Sequence, residues 1–260
     1  ELQSGTWTNI GKGQGSGVLR FVDFANRTVL FGPGESSVKI FSGSNFSTTS
    51  GDPINPDDLW YVNGTTNAAY VRLQYGEVYK SRIYMSGDNN YVPFSSRLWF
   101  SSVISSSGVI SWSPSTDYVD INPGDGESIT ALKRFSLELL VFKPNYIYRF
   151  RTSGVDPDPL VKVGTRSQES IVEGKRGLYF HHDTGFYRYS GGYPVEISRA
   201  ISDVVKAIPF GQYDDLVSWI DEDHIYWSVG DLTIPEPKGS SLWTNVVIRY
   251  TESADIWTIY

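Results

Sequence analysis

One local pattern governs how this sequence can fold: an apolar strand, a short polar turn, then a second strand rich in Tyr, Phe or Trp. Leu139-Leu140-Val141-Phe142 runs through Lys143-Pro144-Asn145 into Tyr146-Ile147-Tyr148-Arg149-Phe150. Leu178-Tyr179-Phe180 runs through residues 181–185 into Phe186-Tyr187-Arg188-Tyr189. Leu216-Val217-Ser218-Trp219-Ile220 runs through Asp221-Glu222-Asp223 into His224-Ile225-Tyr226-Trp227. With Pro144, Asp183 and Glu222 as turn centres, both intervals are 39 residues. A four-stranded propeller blade needs about that length. The period favours a propeller over the competing β-sandwich.

Two looser hairpins extend the series. Phe21-Val22-Asp23-Phe24 and Thr28-Val29-Leu30-Phe31 flank residues 25–27, and residues 80–85 and 97–100 flank a longer loop at Gly87-Asp88-Asn89-Asn90. All five read as blade-opening hairpins. The last unit reads as a whole blade over residues 216–260, with strands at 246–250 and 256–260 around a turn at 251–255. Gly5-Thr6-Trp7-Thr8-Asn9-Ile10 echoes its final strand, and pairing of such terminal strands closes propeller rings and protects an edge. Residues 43–66 read as an exposed loop around a strand at Leu59-Trp60-Tyr61-Val62. The prolines of residues 154–159 exclude a central strand. One short helix is expected over residues 197–206, because Ile197, Ile201, Val204 and Val205 share a face and Pro209 stops it. The expectation is an all-β chain: a single β-propeller domain over residues 1–260, about five four-stranded antiparallel blades with one short helix between blades.

Composition agrees. Aromatic residues are 15% of the 260, with 25 Gly and 13 Pro to punctuate turns. The chain has no Cys, which excludes disulfides, thiolate metal sites and cysteine nucleophiles. Its formal net charge is −7, with Lys and Arg scattered singly and no basic stripe to track a phosphate backbone. No apolar run is long enough to cross a membrane as a helix, so no membrane insertion is expected. The chain starts at Glu1 and contains Met85 alone, which reads as an excerpt or processed product of a longer polypeptide.

Several patches resemble propeller domains of structural proteins in tailed-bacteriophage virions. They are Arg20-Phe21-Val22-Asp23-Phe24-Ala25-Asn26, then Arg97-Leu98-Trp99-Phe100-Ser101-Ser102 leading through Trp112-Ser113 to Asp117-Tyr118-Val119-Asp120-Ile121. A third runs from Gly164-Thr165 through Ser170-Ile171-Val172, Gly177-Leu178-Tyr179-Phe180 and Asp183-Thr184-Gly185 to Gly191-Gly192 and Pro194-Val195-Glu196-Ile197-Ser198. The last is Ile225-Tyr226-Trp227-Ser228-Val229-Gly230-Asp231 with the Trp257 strand. The resemblance implies a non-enzymatic tail or head-completion component of the nozzle or DNA-stabilisation type. It implies a homo-oligomeric ring, tail or portal proteins as partners, and a place in the virion with genomic DNA passing nearby without specific binding. A carbohydrate-binding or glycoside-hydrolysing propeller at the host surface is the alternative. An intracellular kelch-like scaffold is disfavoured by irregular blades, since the Gly-Gly doublet occurs at Gly191-Gly192 alone.

No catalytic, metal-binding or cofactor-binding residues are assigned, and no cofactor is expected. Gly11-Lys12-Gly13-Gln14-Gly15-Ser16-Gly17 looks like a phosphate loop but precedes a strand, not a helix. His181 and His182 are adjacent and point to opposite faces of a strand, and His224 sits elsewhere, so zinc is not expected. Asp117, Asp120, Asn122, Asp125 and Glu127 are dense in oxygen ligands without calcium-loop spacing; Asp156 and Asp158 are a smaller version. Asp221-Glu222-Asp223 reads as a solvated hairpin tip. Asp183-Thr184-Gly185-Phe186-Tyr187 faintly resembles a sialidase Asp box, a structural turn, but lacks its leading Ser and terminal Trp. No nucleophile elbow is present. Trp60, Trp99, Trp112, Trp227, Trp243 and Trp257 are expected to pack between blades rather than stack on sugars. The sequons at Asn26, Asn45 and Asn63 carry little weight.

Overall fold

A computed structural model describes residues 20–24, 27–31, 39–41, 46–47, 73–87, 95–106, 110–113, 116–151, 154–155, 160–236 and 239–260. The glycine loop at 11–17, the terminal strand at 5–10, the strand at 59–62, Trp60, Asp156, Asp158 and all three sequon asparagines lie outside these residues. The described chain is all-β, with few and short helices. It divides into two compact units, Glu1–Gly126 and Glu127–Tyr260.

The first unit holds two four-stranded antiparallel sheets. Sheet I is β1 (Arg20–Phe24), β2 (Arg27–Phe31), β3 (Lys39–Phe41) and β4 (Phe46–Ser47). Sheet II is β5 (Tyr75–Tyr79), β6 (Arg82–Ser86), β7 (Arg97–Phe100) and β8 (Tyr118–Asp120). The first hairpin of sheet II turns at Lys80 and Ser81, whose φ values of 47° and 59° fit the twist of flanking antiparallel strands. Phe24, Val29 and Phe31 of sheet I and Ile83, Met85 and Trp99 of sheet II form one shared buried core. Arg20 donates to the Gln74 carbonyl at 3.1 Å and lies over the Tyr75 ring.

The second unit holds three such sheets in chain order. Sheet III is β9 (Ala131–Phe135), β10 (Glu138–Phe142), β11 (Ile147–Arg151) and β12 (Gly154–Val155). Sheet IV is β13 (Val172–Gly174), β14 (Gly177–His182), β15 (Gly185–Tyr189) and β16 (Val195–Glu196). Sheet V is β17 (Val217–Asp221), β18 (His224–Glu236), β19 (Gly239–Thr251) and β20 (Ile256–Ile259). Each sheet is a meander whose neighbouring strands are consecutive in sequence.

The five expected hairpins fall one to each sheet, but two corrections apply. In sheets I and V the recognised hairpin opens the meander, whereas in sheets II, III and IV it joins the second and third strands. The first 39-residue interval compares like turns, at Pro144 and Asp183, but the second compares a middle turn at Asp183 with an opening turn at Glu222. Equivalent opening turns lie at Ser136 and Leu137, Lys175 and Arg176, and Glu222 and Asp223, and the second interval is longer than the first. The whole final unit, by contrast, is the four-stranded sheet V.

The expected helix starts late. Ile197 donates its N–H to the Phe186 carbonyl at 2.9 Å, and Ser198 Oγ accepts from Phe186 N at 2.9 Å. Both residues are thereby held to the end of β15. A 3-10 turn follows at Arg199–Ile201, then helix α1 at Ser202–Ala207, with Val205 buried against sheet V.

Sheets III, IV and V are packed by aromatic rings and tied by one connector, residues 164–171. Phe142 meets Phe180 edge-on at 5.4 Å and Phe135 meets Tyr189 at 5.6 Å. On the other face of sheet IV, Phe186 meets Trp227 at 4.6 Å and Tyr179 meets Tyr250 at 5.8 Å. Within the connector, Gln168 pairs its amide with both backbone groups of Leu132, donating at 3.0 Å and accepting at 2.7 Å. The side chain thus caps the free edge of β9 as another strand would. Toward sheet V, Ser167 Oγ donates to the Leu216 carbonyl at 2.7 Å, Ser218 Oγ donates to the Glu169 carbonyl at 2.7 Å, and Trp227 Nε1 donates to the Ser170 carbonyl at 3.0 Å. Gly164 permits the approach: a Cβ there would run into the Lys143 carbonyl oxygen. Gly164→Ala should therefore destabilise the unit by about 1–3 kcal/mol, read as a lower urea midpoint at unchanged slope. Gly211→Ala, where nothing lies within 4 Å of the added methyl, is the silent control.

Candidate functional site

Arg166, Asp183, His182 and Tyr187 gather at the two-residue turn formed by Asp183 and Thr184. Strand alternation places Phe180 and His182 on the face of β14 toward sheet III, and Tyr179 and His181 on the face toward sheet V. Both histidines are buried, as is all of β14. The two rings lie on opposite faces of the sheet, as alternation predicts, and both are buried there.

His181 is boxed by two rings, Phe186 at 5.1 Å and Tyr213 at 4.7 Å. Tyr213 comes from a 3-10 turn at Phe210–Asp215. Burial pushes the His181 imidazole down to about 3, opposed in part by Asp183. His182 Nδ1 accepts the Thr184 N–H at 3.2 Å, which leaves the proton of the neutral ring on Nε2. Thr184 Oγ1 lies 2.9 Å from the same Nδ1 and 2.7 Å from the Tyr187 hydroxyl. Burial also lowers the affinity of His182 for a second proton. Neither Nε2 has a hydrogen-bond partner. Arg166 grips Asp183 through two bonds, Nε to Oδ1 at 3.0 Å and Nη2 to Oδ2 at 3.1 Å, and stacks over Phe210 at 4.5 Å.

Chemically, a hydroxyl beside an imidazole suggests a nucleophile and its base. Here the lone pair of Nδ1 is already shared with the Thr184 amide, and no third group orients Nε2. The arrangement closes a tight turn. Asp183 therefore serves as an Arg-clamped turn residue, in keeping with the structural role of the Asp-box likeness.

The other expected clusters disperse. Asp120 pairs with Arg97 at 2.7 Å, Asp117 accepts the Ser113 amide at 3.2 Å, and Glu127 accepts both the amide and side chain of Asn145. Asn122 and Asp125 flank and form a 3-10 turn, Pro123–Asp125. No group of three His, Cys, Asp or Glu among the described residues is placed to hold a metal. Trp99, Trp112 and Trp227 are buried, and Trp257 is partly buried with Nε1 donating to the Ile197 carbonyl at 3.1 Å. Trp243 departs from the packing expectation, being 39% exposed. Asp223 is more than a solvated tip, because its carbonyl accepts the Glu252 amide and its carboxylate accepts the Ser253 amide.

One residue escaped the sequence reading altogether. Glu252 is fully buried. Its carboxylate accepts the amides of Lys175 and Arg176, each at 2.9 Å, and the Tyr179 hydroxyl at 2.7 Å. It stitches the last turn of sheet V to the opening turn of sheet IV. Burial and then this bond push the Tyr179 phenol well above its usual range. A glutamate in a polar turn carries no local signal of such a role, since its partners lie more than 70 residues away.

No protein-family model and no curated protein matches the chain. Among solved structures, it is similar to an extracellular domain described as belonging to a one-component system, BT4673, of Bacteroides thetaiotaomicron. The TM-score is 0.56 at 13% identity, over 97% of this chain and 29% of that one. A structure of the extracellular domain from the same system, described as hybrid two-component, gives 0.49 at 13% identity over 96% and 32%. A computationally designed protein, Ika8, gives 0.47 at 8% identity over 93% and 60%. The chain thus spans under a third of the length of the first of these, and at such identity the likeness concerns fold alone.

Glu252→Ala should unpair two amides and a phenol together, costing at least about 4 kcal/mol, since three bonds to a carboxylate are lost and each is worth roughly 1.5–3. Glu252→Gln should cost less. Chemical denaturation monitored by Trp fluorescence distinguishes them.

Proposed function

We propose that this chain is a β-propeller acting as a non-enzymatic structural component of a tailed-phage virion, in a ring of like subunits around the DNA channel. The observation that carries this reading is where the resembling residues fall. Ser170, Tyr179 and Ser198 belong to the stretches similar to virion propellers: the Ser170 carbonyl accepts the Trp227 indole of sheet V, Tyr179 donates to Glu252 beside sheet V, and Ser198 holds Phe186 of sheet IV. Residues of the resembling stretches thus support a reading in which the sheets of the second unit are held together for a structural role. Strongly shifted ionisable groups of the second unit are committed to packing: Tyr179 bonds to Glu252, Tyr189 bonds to Glu138 of sheet III, and His181 is enclosed by Phe186 and Tyr213. The net charge of −7 further suits a surface past which DNA slides without sticking.

Two measurements test the proposal. Mass spectrometry and antibody labelling of gradient-purified particles of the encoding phage should find the chain at the tail end or portal vertex in several copies. Gel-shift titration should show no DNA retention at physiological salt. Absence from the particles overturns the reading, and so does turnover of a glycan substrate, which would point to the carbohydrate-directed alternative.

A further inference from the structure

Two consecutive histidines are buried on the two faces of one sheet. His181, on the face toward sheet V, meets Phe186 of its own sheet and Tyr213 of the 3-10 turn, and His182, on the face toward sheet III, meets Tyr187 of its own sheet edge-on at 5.7 Å. They are 1% and 5% exposed, and each has an Nε2 with no hydrogen-bond partner. A neutral imidazole tolerates such a place, but an imidazolium needs acceptors for both N–H groups.

The charged groups around them do not supply those acceptors. His181 faces Asp183 and His182 from its own hairpin and the neutral phenol of Tyr213 from the 3-10 turn. His182 faces Asp183, Arg166 and Glu127. Asp183 is already held through both oxygens by Arg166, and Glu127 already accepts two bonds from Asn145. Arg166 itself repels a second positive charge. Protonating His182 would also take Nδ1 from the Thr184 amide and loosen the turn.

We propose that the His181 and His182 pair is a two-sided acid latch: proton uptake by both rings releases sheet IV from sheet III and from sheet V in one event. An exposed histidine gains its proton near pH 6.5, whereas these rings stay neutral while the seams are closed. The sign follows. Both groups bind a proton more weakly in the closed state than in the open one, so closure is fully favoured above about pH 6.5 and weakens as pH falls below it. Carboxylates titrate near 4, so the window from about pH 6.5 to 5 isolates the histidines.

Native-state hydrogen exchange on the whole chain, corrected for intrinsic rates, tests this between pH 7.5 and 5. The opening equilibrium for residues 172–189 and 210–216 should rise by up to about tenfold per pH unit for each histidine protonated, approaching a hundredfold for two. His181→Phe with His182→Gln should remove that slope, and each single change should remove about half of it in log units. An unchanged slope in the double variant overturns the latch. If that variant does not fold, the wild-type chain still decides: a rise centred on those segments supports the latch, and a uniform rise throughout the second unit, or none, overturns it.

Discussion

The second unit depends on eight consecutive residues, 164–171, that serve three sheets at once. Arg166 reaches the Asp183 side chain, but the bonds toward sheets III and V involve backbone atoms: Gln168 to Leu132, Ser167 to Leu216, while the Ser170 carbonyl receives the Trp227 indole. Backbone atoms move only with their strands, so each such bond fixes the position of a strand and not merely of a rotamer. The approach at Gly164 brings the connector against the turn that follows β10. Remove that approach and the remaining bonds lose their register together.

Magnitudes separate adhesion from alignment. A buried aromatic ring removes roughly 150–250 Å² from water, worth several kcal/mol at about 25 cal/mol per Å². A neutral hydrogen bond contributes about 1 kcal/mol net. The rings of Phe142, Phe180, Phe186 and Trp227 therefore hold the sheets together. The polar ties select one relative placement among the many that greasy faces would accept. The same division explains why a buried Glu252 is retained: with three donors satisfied it fixes an orientation, while the rings around Tyr250 supply the energy.

The sequence made the hairpins legible, but not their rank within each sheet. In a four-stranded meander every strand but the outermost takes part in two hairpins, and the aromatic-after-turn pattern appears in both. Glu222 and Asp183 thus looked equivalent although one lies in an opening turn and the other in a middle turn. The period of a repeat measured on look-alike turns can be regular where the underlying repeat is not. Ile197 shows a related limit: its helical spacing is real, yet a strand-end bond to Phe186 claims its backbone first. The two histidines were assigned to opposite faces correctly from alternation alone. Nothing local revealed that both faces would be covered. Gln168 and Glu252 were illegible for the reason that makes them useful, since each is paired with a backbone distant in sequence.

The strands β18 and β19 each run for 13 residues, about 43 Å at roughly 3.3 Å per residue. Their partners β17 and β20 meet only the inner part of that length. Beyond it the sheet narrows to a ribbon two strands wide, and the narrowing coincides with the irregular register at Gly230, whose φ of 75° and contact with Gln212 leave no space for a side chain. A two-stranded ribbon flexes more easily than the sheet it leaves. This ribbon is still anchored beyond Gly230, because Leu232 is fully buried and packs with Ile234 and Val246 in the same cluster as Trp227 and Val205 of α1, so the narrow part of the sheet is held from its face where it lacks strands at its edges.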